Sequence, residues 1–173
     1  KKLERRKKRI QRKISKKYDM NKEGNKFIKT NNIRKEEEKL LKLNNRLTNI
    51  RRDYTHKVSR AIVDKKPQVI VMEDLNIRGM MKNRHLSKAI QQQNLNRLVG
   101  YIKYKAESQG TVFIQAKRNF KSTQLCSTCG SSYRIKLSER VYNCDNCGLS
   151  LDRDLNAALN LKNYGISQLK SQA

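Results

Sequence analysis

The stretch from Cys126 to Asn160 constrains this chain more than any other: CSTCG, then CDNCG with fourteen residues between Cys129 and Cys144, and then LSLDRDLNAALN. Two C-x-x-C pairs, each followed by a glycine (Gly130 and Gly148), supply two tight turns that aim their sulfurs inward. A glycine after the second cysteine admits the positive φ that closes such a turn. The chain has 4 cysteines, so Cys126, Cys129, Cys144 and Cys147 predict one closed tetrahedral site for Zn²⁺. A closed site has no position for substrate, and the zinc is expected to be structural. The competing reading is two disulfides; no signal peptide is visible, and paired knuckles favour the metal.

Directly after the ribbon, Asp152 and Asp154 precede LNAALNL, a short helical run that Gly165 is expected to stop. One aspartate suits the helix N-terminus, where unpaired N–H groups and the macrodipole favour an acid. Two carboxylates beside an ordered metal module also suit a catalytic divalent cation.

Charge sets the partner. Against 41 Lys+Arg stand 15 Asp+Glu, a formal net charge of +26. Residues 1–66 hold 25 of the basic and 8 of the acidic side chains. Phosphate backbones release counterions on meeting such a field, which makes nucleic acid the leading polyanion. No apolar run approaches the roughly 18 residues of a membrane span, so no membrane partner and a cytoplasmic, nucleoid-associated location are expected.

In chain order, residues 1–18 place Leu3, Ile10, Ile14 and Tyr18 on one side of a helix. Residues 19–32 read as a loop around Gly24, and a long helix follows from Ile33 to about Asp64. There Ile33, Leu40, Leu47, Tyr54 and Ala61 repeat every seven residues, with Leu43 and Ile50 at d positions. An antiparallel hairpin with a shared apolar seam is expected over 1–66. Arg5, Arg6, Lys7, Lys8, Arg9, Arg12, Lys13, Lys16 and Lys17 are its candidate nucleic-acid contacts. After Pro67, the run VIVM reads as a buried strand ending at Glu73 and Asp74, where α/β sheets place ligands. A polar connection, a helix over Ser87–Gln109 closed by Gly110, and a second strand TVFIQA complete a strand-helix-strand unit. Ser87, Ser122 and Thr123 have no base partner, His56 and His85 stand alone, and no glycine-rich phosphate loop occurs.

VIVMEDLNIRGM, LVGYIKYKAESQG, the paired-cysteine ribbon and LDRDLNAALN, in that order, resemble the insertion-sequence OrfB/TnpB family of transposon-encoded, RNA-guided DNA nucleases. The resemblance implies an α/β protein: a partial RNase H-like (RuvC-type) core with a basic helical hairpin and an inserted four-cysteine zinc ribbon. It implies a hairpin over 1–66, core over 67–121, ribbon over 122–150, final motif and helix over 151–165, and a tail over 166–173. Carried over by motif, Glu73 matches the glutamate of E-D-L-N and Asp154 matches the last catalytic aspartate, both as ligands of Mg²⁺. DNA and a guide RNA are the implied partners. The family's first aspartate lies in a G-I-D-x-G strand that has no counterpart here. The resemblance therefore implies an upstream fragment carrying that aspartate, and little cleavage by this chain alone. The alternative is a non-catalytic DNA- or RNA-binding zinc-ribbon protein. An unrelated ribbon protein of transcription or translation would leave VIVMEDLN and DRDLNAALN unexplained.

Overall fold

Two parallel strands, β3 (Val69–Glu73) and β4 (Val112–Ala116), pair from Val69 opposite Val112 to Glu73 opposite Ala116. In this computed structural model, residues 1–136 and 138–171 are described. Position 137 of the expected ribbon and positions 172–173 of the expected tail lie outside them. The chain divides into two compact units, Lys1–Lys57 and the residues from Val58 onward.

In the second unit the crossover from β3 to β4 runs through α3 (Ile77–Met81), α4 (Ser87–Gln93) and α5 (Leu95–Ser108). The pleat sends alternate side chains to opposite faces. Ile70 and Met72 join Val63, Leu98, Ile102, Ala106 and Phe113 in one apolar cluster. Val69 and Val71 face the other way, against Gly165 of α6 (Arg153–Lys170). Val63 and Ile102 are fully buried, and each contributes roughly 2 kcal/mol by leaving water.

Two expectations fail here. The helix over Ser87–Gln109 is two helices, because Asn94 takes a left-handed conformation (φ 58°) and ends α4 before α5 begins. Asparagine tolerates that region better than most residues, since its short polar side chain bonds locally. Gly165 does not stop the last helix. It lies within α6 and is buried, its missing side chain admitting the strand rather than ending the turn. The polar connection after β3 also contains a helix, α3, capped by the Asn76 carboxamide, which accepts from Gly79 N.

The first unit contains α1 (Lys2–Met20), a two-residue hairpin of β1 (Lys22–Glu23) and β2 (Lys26–Phe27) around Gly24, and the start of α2 (Asn31–Val63). The hairpin lies in the segment expected to be a plain loop. Antiparallel registry shows in three pairs: Glu4 with Arg51 (2.6 Å), Lys13 with Glu36 (2.9 Å) and Tyr18 with Glu37 (2.8 Å). Ile14, Ile33, Leu43 and Leu47 are buried along the seam. Beyond Leu47 the expected repeat breaks down: Ile50 and Tyr54 are 49% and 68% exposed, and Ala61 is exposed too. For Tyr54 the reason is length. With 19 residues, α1 is about 28 Å long, and Glu4 near its start already meets Arg51, so Tyr54 has run past the first helix.

Candidate metal centre and carboxylate site

The ribbon is built from two similar turns. In the first, Cys126 N donates to Ser131 O and Gly130 N to Cys126 O; in the second, Cys144 N donates to Leu149 O and Gly148 N to Cys144 O. Both glycines have positive φ, 75° and 73°, as the spacing predicts. Antiparallel β5 (Val141–Asn143) and β6 (Ser150–Asp152) close the module. Tyr142 is buried with Cys126 and Cys144 between Tyr133, Ile135 and Leu149.

All four sulfurs lie within 4.8 Å of one another. Cys126 Sγ is 3.6 Å from Cys147 Sγ, and Cys129 Sγ is 3.6 Å from Cys144 Sγ. A disulfide needs about 2.05 Å. Four sulfurs about 2.3 Å from a tetrahedral zinc sit about 3.8 Å apart, so the donor set fits zinc. Its electrostatics also call for a cation. The Cys129 thiol is pulled down to about 5 by the Ser131 hydroxyl, the Asn146 side chain and the Ser131 amide. The Cys147 thiol is drawn down by the Leu149 amide, yet burial and three neighbouring sulfurs push it up to about 12. Four thiolates this close repel one another, and a cation among them offsets that repulsion.

Glu73 ends β3 at the carboxyl end of the parallel pair, half-buried, and its Oε1 accepts a hydrogen bond from Ser122 Oγ. The neighbouring Asp74 is engaged elsewhere, with Arg118 (2.9 Å) and Gln115 (3.3 Å). The two later aspartates part company. Asp152 caps α6, its Oδ1 accepting from Asp154 N (2.9 Å) and Leu155 N (3.0 Å). Asp154 is 73% exposed at its side chain and touches Arg153 at 3.3 Å. Among the described residues the four cysteines are the one group of three or more metal-ligating side chains; Glu73 and Asp154 are not gathered into another.

Of the basic candidates on α1, Arg5, Arg6, Lys8, Arg9, Arg12, Lys13 and Lys16 are exposed, with Lys7 and Lys17 partly so. Lys13 pairs with the buried Glu36. Arg6 lines a cleft with Ile10, Leu43, Lys39, Lys42 and Arg46, which brings in three α2 cations that the sequence reading left out. Their signal was present: they flank the apolar seam at helical spacing.

Sequence reasoning also missed Asn156 and Asn160, both buried on α6. Asn156 Nδ2 donates to Leu125 O (2.7 Å) while its Oδ1 accepts from Ser127 N (3.0 Å). Asn160 Nδ2 donates to Ser122 O (2.8 Å) and Leu125 O (2.7 Å). Two carboxamides four residues apart on a helix face share one stripe, and LNAALN shows that spacing.

Fold and site together define a mixed helix-and-strand protein carrying a four-cysteine metal module. Residues 96–161 match the family model described as Cas12f1-like, TNB domain. A Streptomyces pristinaespiralis protein named "Putative RNA-guided DNA endonuclease" is 35% identical over 137 residues, covering 79% of this chain and 34% of that protein. TnpB-like protein MJ1635 of Methanocaldococcus jannaschii is 32% identical over 133 residues, covering 76% of this chain and 30% of its own length. The chain thus spans about a third of the length of these relatives. A structure titled as the Cas12f1-sgRNA-target DNA complex is similar in fold, with a TM-score of 0.56 at 20% identity over 70% of this chain and 36% of that one. This chain belongs to the TnpB/OrfB family and corresponds to its carboxy-terminal part.

Proposed function

We propose that this chain is the carboxy-terminal part of an RNA-guided, metal-dependent DNA endonuclease with an RNase H-like (RuvC-type) core. The relatives' names and the likeness to a guide-RNA and target-DNA complex support that reading. The observation that carries the site is the division of labour between the two aspartates. Asp152 is committed to capping α6, whereas Asp154 at the same helix start is exposed, its Oδ1 beside the Arg153 guanidinium and its backbone rather than its carboxylate used in the cap. Glu73 stands at the carboxyl end of a parallel strand that α6 packs against.

In this reading Glu73 and Asp154 are Mg²⁺ ligands, and hard carboxylate oxygens suit that ion. When bound, Mg²⁺ would activate water and stabilise the leaving oxygen of a phosphodiester. The chain's own residues do the rest. The α6 N-terminus adds a partial positive charge beside Asp154. Zn²⁺ on Cys126, Cys129, Cys144 and Cys147 holds the ribbon in shape. The cations of α1, with Lys39, Lys42 and Arg46 of α2, meet phosphates of DNA and guide RNA.

The test uses the longest open reading frame containing this chain, purified with its co-purifying RNA, against DNA matching that RNA. Cleavage should require Mg²⁺ and disappear in Glu73→Ala and in Asp154→Ala. Cutting that survives either substitution rejects the assignment. Salt-sensitive binding with no cleavage under any divalent metal would favour the non-catalytic binding reading instead.

A further inference from the structure

Ser122 has no base beside it in sequence and no path to substrate in the structure, being 3% exposed. A nucleophile is therefore excluded, yet its hydroxyl is aimed at one group: Oγ donates to Glu73 Oε1 across 49 residues of chain. We propose that Ser122 is the positioning residue for the Glu73 carboxylate, holding one oxygen so that the other faces a divalent cation. The inference rests on the reading of Glu73 as a metal ligand.

Three features distinguish this contact from an incidental surface bond. Ser122 itself is fixed, because its carbonyl accepts from the buried Asn160 Nδ2 at 2.8 Å. The same carboxamide holds Leu125 O, and Asn156 holds Leu125 O and Ser127 N, so the segment entering the ribbon is pinned to α6 at both ends. The second oxygen, Glu73 Oε2, has no hydrogen-bond partner among the described residues. Asp74, the acid next to it, shows the contrast: both of its oxygens are occupied, by Arg118 and by Gln115.

A half-buried glutamate on a strand end samples several side-chain rotamers. One hydrogen bond from a nearly inaccessible hydroxyl selects among them before the cation arrives. Hydrogen-bond partners behind a metal ligand typically change metal affinity by about 10–100-fold when removed. The serine also couples Glu73 to α6 through Asn160, so the strand-end acid and the helix bearing Asp154 are referenced to one another.

The experiment is a calorimetric titration of Mn²⁺ into the zinc-loaded product of the longest open reading frame containing this chain, with thermal unfolding recorded for each variant. Wild type should bind Mn²⁺, and Glu73→Gln should lose that binding. Ser122→Ala should weaken it about 10–100-fold while zinc content stays at one per chain, and Ser122→Thr, which keeps the hydroxyl, should restore most of it. If Ser122→Ala binds like wild type while Glu73→Gln does not, the positioning role is overturned and the metal site stands. Equal loss in Ser122→Ala and Ser122→Thr would also overturn it, since the hydroxyl would then not be the cause. If Glu73→Gln binds Mn²⁺ as wild type does, the assignment of Glu73 itself fails, and the positioning role falls with it.

Discussion

A Cβ atom added to Gly165 would collide with Val71 Cγ2, so α6 and β3 meet at a distance that only glycine allows. The contact sets how close the final helix lies to the strand that ends in Glu73. Alanine is the better helix former by up to about 1 kcal/mol, but overpacking a filled interface costs about 1–3 kcal/mol. We expect Gly165→Ala to lower stability by about 1–2 kcal/mol, read as a shift in the urea midpoint at constant slope. Stabilisation would show that the interface has room.

Asn160 is the second link between α6 and the ribbon entrance. Replacing it with leucine keeps the volume but leaves the carbonyls of Ser122 and Leu125 without this donor. Leu125 O keeps the Asn156 carboxamide, so the Ser122 carbonyl is the acceptor left orphaned, at a cost of about 1–3 kcal/mol. The expected result is a loss of about that size, with weaker protection of the ribbon amides in hydrogen exchange. A variant as stable as wild type would mean that water replaces the carboxamide.

Zinc loading should release protons. In the metal-free sulfur set the Cys147 thiol is pushed up to about 12, so it carries its proton at neutral pH. Zinc binds thiolates, and that proton must leave. Calorimetry at pH 7.5 in buffers of different ionisation enthalpy should show at least one proton released per zinc. Chelation should unfold the segment around Tyr142, whose core partners are two of the ligands. A ribbon that stays folded after chelation would contradict a structural metal.

Acid should loosen the helical hairpin through Glu36. Hydrogen bonds from Lys13 and then Lys39 hold its carboxyl below the ordinary value, against the opposing effect of burial. A carboxylate with a depressed folded pKa adds stability that is present above its unfolded value, near 4.3, and lost as pH falls through the folded one. Glu36→Gln should therefore be less stable than wild type at pH 7. The gap should close in strongly acidic solution, measured by thermal unfolding from pH 7 down to pH 2. A gap independent of pH would remove the ion pairs as its source.

Binding of single- or double-stranded nucleic acid should weaken steeply with salt, because the exposed cations of α1 displace condensed counterions. Replacing Arg9 and Arg12 together by glutamine should flatten the logarithmic salt slope by about one unit for each phosphate contact removed. An unchanged slope would place the phosphate contacts elsewhere on the chain.

The amino-acid sequence by itself determined the features whose information is local. The C-x-x-C spacing and the two glycines specify the ribbon turns, because a turn of four or five residues is closed by its own backbone. Both strands of the parallel pair were legible as short apolar runs, and both hairpin helices as periodic ones. Tertiary structure decided what depends on a partner far along the chain. Motif resemblance singles out Asp154 as the ligand, but which of Asp152 and Asp154 caps the helix is decided only when the start of α6 is placed. Gly165 reads as a helix stop until β3 lies against it. Tyr54 keeps its heptad position, but a helix as short as α1 offers it nothing to bury against. Ser122 reads as an idle hydroxyl because its partner lies 49 residues away. Local spacing fixes backbone torsions, whereas the worth of a side chain is set by the surface that folding brings to it.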